Sequence, residues 1–411
     1  MNQDKKRIWL VNQYAVPTSL PGITRHFELF NEIQKDNKFD ITFWISSFNY
    51  SLRRFLSQSE IKEINKTNYR LNLKWLPAFP HKRNNWKRTL NMISFSVFFF
   101  LRAFFSKKPE IIVASSPQII VAYCALIISK IFSIKFVLEI RDLWPESLVV
   151  MSGKKEGFVI KLLYKIEKKL YDNSEHIIVL TEYQRIYLIN KGYDSKRITL
   201  IPNGILLEEF SRLEREELSV YKDRLQVPLD SFVAIYTGAH GTANSLDQLV
   251  EAGKYLSKDE FIILIGDGPE KDRLMKLKDK NKVTQVKFIN PVPKTEILKY
   301  TSTADCGIIS LEDNAVFLGA RPNKLYDYMV LGLPIISTIG GEVKYILEEN
   351  GVGSCVTPNQ PLELAEELKR IKKLNFEDKS RIRNNGWDYV SNEGNRHVSS
   401  KKFANILSNL A

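Results

Sequence analysis

The chain has 411 residues, 44% of them hydrophobic, and this size and composition indicate two or three globular domains and exclude a largely disordered protein. Its three cysteines are odd in number and lack metal-site spacing, which argues against a zinc site or a disulfide framework and favours a reducing compartment. The formal net charge is +13, and residues 1–150 carry 22 Lys and Arg against 11 Asp and Glu. Such a basic region attracts a polyanion, either an anionic membrane surface or a nucleic acid.

The first residues predict a strand, a loop and a helix. An apolar run at residues 8–11 predicts the strand, and Thr24 is suited to cap a helix that extends to about residue 33. Residues 39–46 alternate as a second strand, whereas residues 48–88 are basic and irregular and predict no clear element. The polar start of the chain lacks the apolar core of a secretory signal, so no signal peptide is expected.

The longest apolar run, residues 92–105, is too short to span a bilayer and is interrupted by Arg102. The basic residues that flank it are Lys82, Arg83, Lys87, Arg88, Lys107 and Lys108. An apolar helix with basic ends can lie among lipid headgroups, where each Lys or Arg contributes about 1 kcal/mol on anionic lipid. A buried core helix would explain the run but not the flanking charges, so membrane contact is favoured.

From residue 111 onward, strands and helices alternate. In the first half the predicted strands are 111–114, 135–140, 176–180 and 197–201, and the helices are 117–131, 158–171 and 182–190. In the second half the predicted strands are 232–236, 261–265, 286–289, 306–309 and 335–336. This alternation implies parallel sheets with right-handed crossovers and ligands at the carboxyl ends of the strands. An α/β protein with two successive βα domains and a cleft between them is therefore predicted.

The segment RPNKLYDYMVLGLPIIST at residues 321–338 predicts a helix followed by a buried strand. Lys324 and Asp327 are three residues apart and therefore share a face near the helix N-terminus. A cation and a carboxylate there could hold a ligand that carries both phosphate and hydroxyl groups. The alternative is a solvated ion pair on an amphipathic helix.

Glycines follow three predicted strands of the second half, at Gly238/Gly241, Gly266/Gly268 and Gly340/Gly341. Glycine at such a position lets backbone N–H groups approach a phosphate. Together with Lys324 and Asp327, these loops predict a nucleotide site. No GxxxxGK[ST] motif is present, and no GxGxxG follows the first strand, which argues against an NTPase, a kinase or a dehydrogenase.

Candidate residues in the first half lie at the start of the first helix and after the strand 135–140. Gly22, Arg25 and His26 form the first group, and the second is the loop EIRDLWPES, in which Asp142 follows the strand and Trp144 offers an apolar platform. Asp142 could equally cap a turn. A position near a helix N-terminus favours a neutral, hydrogen-bonding His26, although a satisfied surface histidine is the simpler interpretation of any lone histidine, His240 included.

Six segments together resemble a known family: PGITRH, EIRDLWPES, IPNGI, YTGAHG, GDGPEKDRL and PNKLYDYMVLGLPII. They resemble retaining nucleotide-sugar glycosyltransferases of family 4, which have the two-Rossmann-domain GT-B fold, and above all the bacterial L-fucosamine-type transferases of O-antigen and capsule assembly. The resemblance implies an acceptor-binding domain at residues 1–205 and a nucleotide-sugar domain at residues 206–390. It also implies that a C-terminal helix, residues 391–411, crosses back to the first domain.

The activity that the resemblance implies is transfer of a sugar, such as an N-acetylated deoxyamino sugar, from a UDP-sugar to a lipid-linked saccharide. No metal or other cofactor would be required, and the enzyme would be cytoplasmic and peripheral on the inner face of the plasma membrane. The implied contacts are Lys324 with the diphosphate, Asp327 with the ribose, Gly238 and Gly268 with the nucleotide, Asn290 and Val292 with the base, and Gly22 and Arg25 with the phosphate and acceptor. Asp142 or His26 would position the acceptor hydroxyl.

One departure from the family pattern concerns the donor sugar. The family has a Glu eight residues before the position of Asp327, but this chain has Gly319, and Asp327 itself replaces a Glu. Glu312 or Asp313 is a candidate for the missing carboxylate. Two alternatives remain, a nucleotide-sugar 2-epimerase of the same fold and a basic nucleic-acid-binding protein. The second is disfavoured because no DNA- or RNA-binding motif is present, so no nucleic acid partner is expected.

Overall fold

The computed structural model describes residues 5–20, 22–67, 70–81, 86–152, 157–209, 215–292 and 294–411. Pro21 of the PGITRH segment and the flanking residues Lys82 and Arg83 lie outside this part of the chain. The chain divides into two compact units. Unit 1 comprises residues Met1–Pro202 and Arg396–Ala411, and unit 2 comprises Asn203–Asn395.

Unit 1 is built around a parallel sheet of seven strands. Its strands are β1 (Lys6–Val11), β2 (Phe39–Ser46), β5 (Asn72–Leu76), β6 (Ile111–Ser115), β7 (Lys135–Ile140), β8 (His176–Val179) and β9 (Ile198–Leu200), in the order β5-β2-β1-β6-β7-β8-β9, and a hairpin of β3 (Phe48–Asn49) and β4 (Arg54–Phe55) lies outside it. The helices are α1 (Arg25–Lys35), α2 (Gln58–Lys66), α3 (Trp86–Phe104), α4 (Ile119–Ile131), α5 (Glu146–Ser152), α6 (Phe158–Asp172) and α7 (Glu182–Asn190). Central strands such as β6 are buried on both faces, which explains their continuous apolar sequence.

Unit 2 contains a parallel sheet of six strands. These are β10 (Phe232–Thr237), β11 (Glu260–Ile265), β12 (Val286–Ile289), β13 (Cys306–Ile309), β14 (Ile335–Ser337) and β15 (Gly353–Cys355), in the order β12-β11-β10-β13-β14-β15. The helices are α8 (Arg215–Arg224), α9 (Asp247–Ala252), α10 (Lys271–Lys280), α11 (Lys294–Thr301), α12 (Asn323–Val330), α13 (Gly341–Glu349), α14 (Pro361–Lys372) and α15 (Phe376–Asn392). Two parallel α/β sheets are therefore present, as the alternation predicted.

The last helix, α16 (Arg396–Leu410), belongs to unit 1, where it packs on α1. The rings of Phe30 and Phe403 meet edge to face with centroids 5.0 Å apart. Arg396 Nε donates to Glu28 Oε2 at 3.1 Å, and both side chains are almost fully buried. The expectation that the C-terminal helix crosses back to the first domain is confirmed.

The region 48–88, for which the sequence predicted no element, contributes the β3–β4 hairpin, α2, the edge strand β5 and the start of α3. A capping box begins α2, because Ser57 accepts from Glu60 N and Glu60 accepts from Ser57 N. Helix α3 begins at Trp86, earlier than the apolar run indicated. In the described part of the chain, no helix is long and apolar enough to cross a membrane.

Candidate functional site

Helix α12, which carries the candidate residues Lys324 and Asp327, is held against the end of β10 by Tyr328. The buried Tyr328 hydroxyl accepts from Thr237 N and donates to Ile235 O, each at 3.2 Å. Gly307 makes room for the ring, because a Cβ there would lie 2.3 Å from Tyr328 Cδ2. The position of the start of α12 relative to the β10 loop is therefore determined by buried contacts.

Lys324 lies over the first glycine loop. Its Nζ is 3.6 Å from the centre of the Tyr236 ring, a cation–π distance, and the Tyr236 hydroxyl donates to Ala239 O at 2.9 Å. A Cβ on Gly238 would lie 3.1 Å from this Nζ. Removal from water lowers the pKa of Lys324 to about 7, with Asp327 opposing that shift. The sequence expectation that Lys324, Asp327 and Gly238 lie together agrees with this geometry.

The first two glycine loops touch each other through their backbones. Gly238 N donates to Ile265 O at 3.0 Å, and His240 N donates to Asp267 O at 2.9 Å. A Cβ on Gly268 would lie 2.3 Å from His240 O, so only glycine fits there. The third pair lies against the segment after β13, since a Cβ on Gly341 would lie 2.0 Å from Leu318 O. Two of the three predicted glycine loops thus form one continuous backbone surface.

Lys271, which the sequence did not single out, joins the ends of β11 and β12. Its Nζ donates to Gly266 O at 3.1 Å and to the side chain of Asn290 at 2.9 Å. Asn290 is exposed and Val292 is half-buried, so the segment expected to flank a nucleobase is accessible. The signal for Lys271 was its place in the GDGPEKDRL segment, directly after the second glycine loop.

His240 is not a surface histidine, which corrects the simpler interpretation. Its side chain is fully buried, and neither ring nitrogen has a hydrogen-bond partner among the described residues. The ring meets Phe288 edge to face at 5.8 Å. Burial, followed by the nearby charge of Lys271, lowers the pKa of His240 to about 4, so the ring is neutral.

In unit 1, Arg25 and His26 form a buried cluster with Glu139. Arg25 donates from Nε to Glu139 Oε1 at 2.8 Å and from its two terminal nitrogens to the carbonyls of Ile201 and Pro202. His26 Nε2 lies 2.5 Å from Glu139 Oε2. Burial opposes ionisation of Glu139, but His26 and Arg25 outweigh it and hold the pKa of this carboxyl well below its usual range.

Within this cluster, His26 has a partner at each of its ring nitrogens. Asn12 Oδ1 accepts from Tyr14 N, which orients the Asn12 amide nitrogen toward His26 Nδ1 at 3.1 Å. His26 Nδ1 is therefore an acceptor and Nε2 donates to Glu139, in agreement with a pKa of His26 that burial lowers. Both ring nitrogens of His26 and three of the five N–H donors of Arg25 thus contact protein groups. These contacts link the start of α1 to β7 and to the segment after β9.

Gly22 and Asp142 lie on loops after strands of the unit 1 sheet. Gly22 has φ +144, a region that favours glycine, and a Cβ there would lie 2.8 Å from Val16 Cγ2. Asp142 is exposed two residues after β7, and the guanidinium groups of Arg88 and Arg141 act on its carboxylate. Of the candidates in unit 1, Asp142 remains available to a ligand.

The carboxylates considered for the donor sugar lie on the segment after β13. Gly319 is buried at the end of a short 3-10 turn, Ala315–Gly319, and Asp313 is exposed. Glu312 N donates to Ala243 O at 2.9 Å, which brings Glu312 beside the first glycine loop. There it lines a cavity of about 150 Å³ with Gly241 and Ser245 among its other walls. Glu312 is therefore the better placed of the two candidates.

Both halves of the chain match family models of sugar-transferring enzymes. Residues 34–209 match the model described as Glycosyltransferase Family 4, and residues 219–388 match Glycosyl transferases group 1. The probable glycosyltransferase WbjE of Pseudomonas aeruginosa is 23% identical over 63% of this chain and 66% of its own length. The putative colanic acid biosynthesis glycosyl transferase WcaI of Escherichia coli K12 is 23% identical over 68% of this chain and 70% of its own length.

The same architecture is present in solved structures. HepE of Anabaena, solved in complex with UDP and glucose, superposes with a TM-score of 0.74 over 98% of this chain and all of HepE, at 14% identity. The fold is therefore GT-B, which consists of two Rossmann-like domains. With both halves matched, the chain belongs to the glycosyltransferases of GT-B fold that are related to family 4.

Proposed function

We propose that this protein transfers a sugar from a UDP-sugar to a hydroxyl of a lipid-linked saccharide, with retention of the anomeric configuration. The observation that carries the proposal is the position of Lys324 over the Gly238 loop, with Asp327 one helical turn further on. An amine beside exposed backbone N–H groups suits a diphosphate, and a neighbouring carboxylate suits ribose hydroxyls. Two similar proteins support this class of substrate. HepE was solved with UDP and glucose, and WcaI is named as a putative glycosyl transferase of colanic acid biosynthesis.

In the proposed reaction, the bond from the anomeric carbon to the diphosphate breaks while the acceptor oxygen bonds to the same face. Negative charge develops on the leaving oxygen, so the Lys324 ammonium and the N–H group of Gly268 stabilise the transition state, and Gly238 lets the diphosphate approach without a side chain in the way. Lys324 supplies the positive charge that a metal ion would otherwise provide. Asn290 and Val292 flank the base, and Asp142 accepts a hydrogen bond from the attacking hydroxyl.

The finer features of the substrates follow from the resemblance and from Glu312. Glu312 takes the place of the carboxylate that Gly319 lacks and binds a hydroxyl or amide group of the donor sugar. The sugar is then an N-acetylated deoxyamino sugar of the kind used in O-antigen and capsule. Gly22 keeps the first loop of unit 1 free of a side chain on the acceptor side.

The outward face of α3 supports a peripheral membrane location on the cytoplasmic side. Its exposed apolar residues are Trp86, Ile93, Val97, Phe98, Leu101 and Phe104, and Phe105 directly after the helix is 91% exposed. Lys87, Arg102 and Lys107 accompany this stripe. An apolar helix face edged with cations binds anionic lipid, which would hold the enzyme beside a lipid-linked acceptor.

The test is a transfer assay with a panel of UDP-sugars and membrane lipid extracts, with product anomers assigned by NMR. Lys324→Ala should lower turnover at least about 100-fold without lowering the melting temperature, because it removes charge at the leaving group. Lys344→Ala, at an exposed lysine, is the matched control. Full activity of Lys324→Ala would exclude the assigned role. Conversion of UDP-GlcNAc without acceptor would instead indicate a 2-epimerase.

A further inference from the structure

A group of aromatic and cationic side chains in unit 1 lies at the start of α3 and has no part in the reaction described above. The rings of Tyr14 and Tyr50 stack with centroids 4.7 Å apart. The guanidinium of Arg88 lies over both rings, 6.0 Å from the first centroid and 5.4 Å from the second. His81 packs beside Tyr50 at 5.7 Å. We call these four residues the Arg88 cluster.

The cluster contains buried polar atoms that the described residues leave without a hydrogen-bond partner. They include Arg88 Nε and His81 Nδ1, and the side chain of His81 is 5% exposed. Gln13 Oε1, next to Tyr14, is a third, on a side chain that is 1% exposed. Because an unpaired buried polar atom costs about 1–3 kcal/mol, three such atoms, one of them in the guanidinium itself, indicate a binding site.

Neighbouring strands place further unpaired atoms at the same edge of the sheet. Gln118 Oε1 follows β6, and Arg141 Nε and Nη1 follow β7, all without partners in the described part of the chain. The Arg88 cluster itself includes residues that follow β1 and β2. Strands β2, β1, β6 and β7 are consecutive in the sheet, so these groups line one edge at the carboxyl ends of four adjacent strands.

The charge of this edge indicates an anionic ligand. Arg25 is paired with Glu139, and the guanidinium groups of Arg88 and Arg141 outnumber the one carboxylate on which both act, that of Asp142. Tyr14 and Gln13 donate to Asn91 Oδ1 at 3.2 and 2.6 Å, so both side chains are oriented before any ligand binds. A planar guanidinium stacked on aromatic rings offers a fixed fork of donors that fits phosphate oxygens.

We propose that the Arg88 cluster is the subsite for a phosphate or diphosphate group of the acceptor. This proposal rests on the proposed function, because it takes the acceptor to be a lipid-linked saccharide and adds that this saccharide carries phosphate. Arg88 lies between Trp86 and Ile93 of the exposed apolar stripe of α3, and it precedes Ile93 by five residues, about 7.5 Å along the helix axis. A lipid-linked saccharide carries its phosphate where lipid and sugar join. The cluster therefore holds that group close to the lipid surface on which α3 rests.

The experiment is calorimetric titration of the full chain with inorganic pyrophosphate at saturating UDP, so that the donor site is occupied. Arg88→Gln should weaken pyrophosphate binding at least about tenfold, because it removes the charged fork. Arg102→Gln removes the same charge from the exposed face of the same helix and should leave the affinity unchanged within about twofold. Tyr50→Leu, which removes the stacking partner and keeps every charge, should weaken binding at least about threefold.

Equal affinities of Arg88→Gln and wild type would overturn the assignment, as would an equal loss in Arg102→Gln. If Arg88→Gln does not fold, Tyr50→Leu decides by the same criterion. Titration with glucuronate separates the two possible sources of negative charge, since binding as tight as that of pyrophosphate would assign the site to an acidic sugar and overturn the phosphate assignment. Absence of UDP binding with intact, Arg88-dependent pyrophosphate binding would refute the proposed donor and leave the subsite standing.

Discussion

The ammonium group of Lys324 lies 3.6 Å from the centre of the Tyr236 ring and directly above Gly238, where a Cβ would come within 3.1 Å of it. The lysine is thus held by an aromatic face and a bare backbone, with the carboxylate of Asp327 on the same helix. A cation placed this way is oriented before any ligand binds, although it is partly withdrawn from water. We therefore expect the charge of Lys324 to respond to pH and to a bound diphosphate, and its position to respond to a side chain added at Gly238.

Nucleotide binding should therefore be linked to a proton. The pKa of Lys324 is about 7 without ligand, and a bound diphosphate would raise it, so UDP should bind with uptake of roughly one proton near pH 8 and bind more weakly as pH rises above 7. Calorimetry in buffers of different ionisation enthalpy measures the uptake. Lys324→Met should abolish it and Lys344→Met should not. Equal UDP affinity at pH 6.5 and 9 would contradict the assignment.

The same lysine predicts linkage in the ligand-free protein. Its folded pKa lies below the value of 10.5 for an unfolded lysine, so between pH 7 and 10.5 the unfolded chain binds more protons. The Lys324 contribution to the free energy of unfolding should therefore rise with pH across that window. Urea unfolding of wild type and Lys324→Met at pH 7 and 9 measures it, and a smaller increase is expected in the variant.

Gly238→Ala should weaken UDP binding without unfolding the protein. Gly238 has φ +149, and a Cβ would press on Lys324 Nζ and on the Tyr236 hydroxyl at 3.2 Å. We expect a loss of about 1–3 kcal/mol in stability from backbone strain and a displaced lysine. Gly157→Ala in unit 1 is the control, because a Cβ there would meet no atom within 4 Å. If Gly238→Ala binds UDP with the dissociation constant of wild type, the position of Lys324 over Gly238 is not required for UDP binding.

The buried pair of Arg396 and Glu28 should stabilise unit 1. Arg396→Met removes one partner and leaves the carboxylate of Glu28 buried, which should cost about 3–5 kcal/mol in the free energy of unfolding. Arg381→Met breaks the exposed pair with Asp378 and should change stability little. Chemical denaturation monitored by tryptophan fluorescence compares the two variants. Similar midpoints would mean that the pair contributes little and that the other contacts of α16, among them Phe403, Leu407 and the His397–Glu32 pair, hold the helix.

The exposed face of α3 should govern binding to vesicles. Val97→Ser with Leu101→Ser removes apolar area from the stripe without altering the buried face, so flotation with phosphatidylglycerol vesicles should decrease severalfold. Leu362→Ser, at a similarly exposed leucine of unit 2, should have no effect. If the Val97→Ser/Leu101→Ser variant also floats as wild type does, the apolar stripe does not bind lipid and has another partner.

The sequence by itself determined the repeated βα pattern and the donor helix. Strands buried on both faces have continuous apolar sequences, and α12 is marked by Pro322, Lys324 and Asp327, all of which are local signals. The glycine pair at 238/241 is also a local signal, because the sequence alone shows glycine directly after a predicted strand.

Only the tertiary structure decided the roles of residues whose partners are distant in sequence. Arg25 and His26 have the local pattern of ligand-binding residues, but Glu139, more than a hundred residues away, occupies both. The sequence favoured a surface position for His240, but Phe288 of β12 packs against its ring. The aromatic neighbours of Arg88 come from two other loops. Such pairings leave no periodic trace in the sequence, because they depend on which strands lie side by side in the folded sheet.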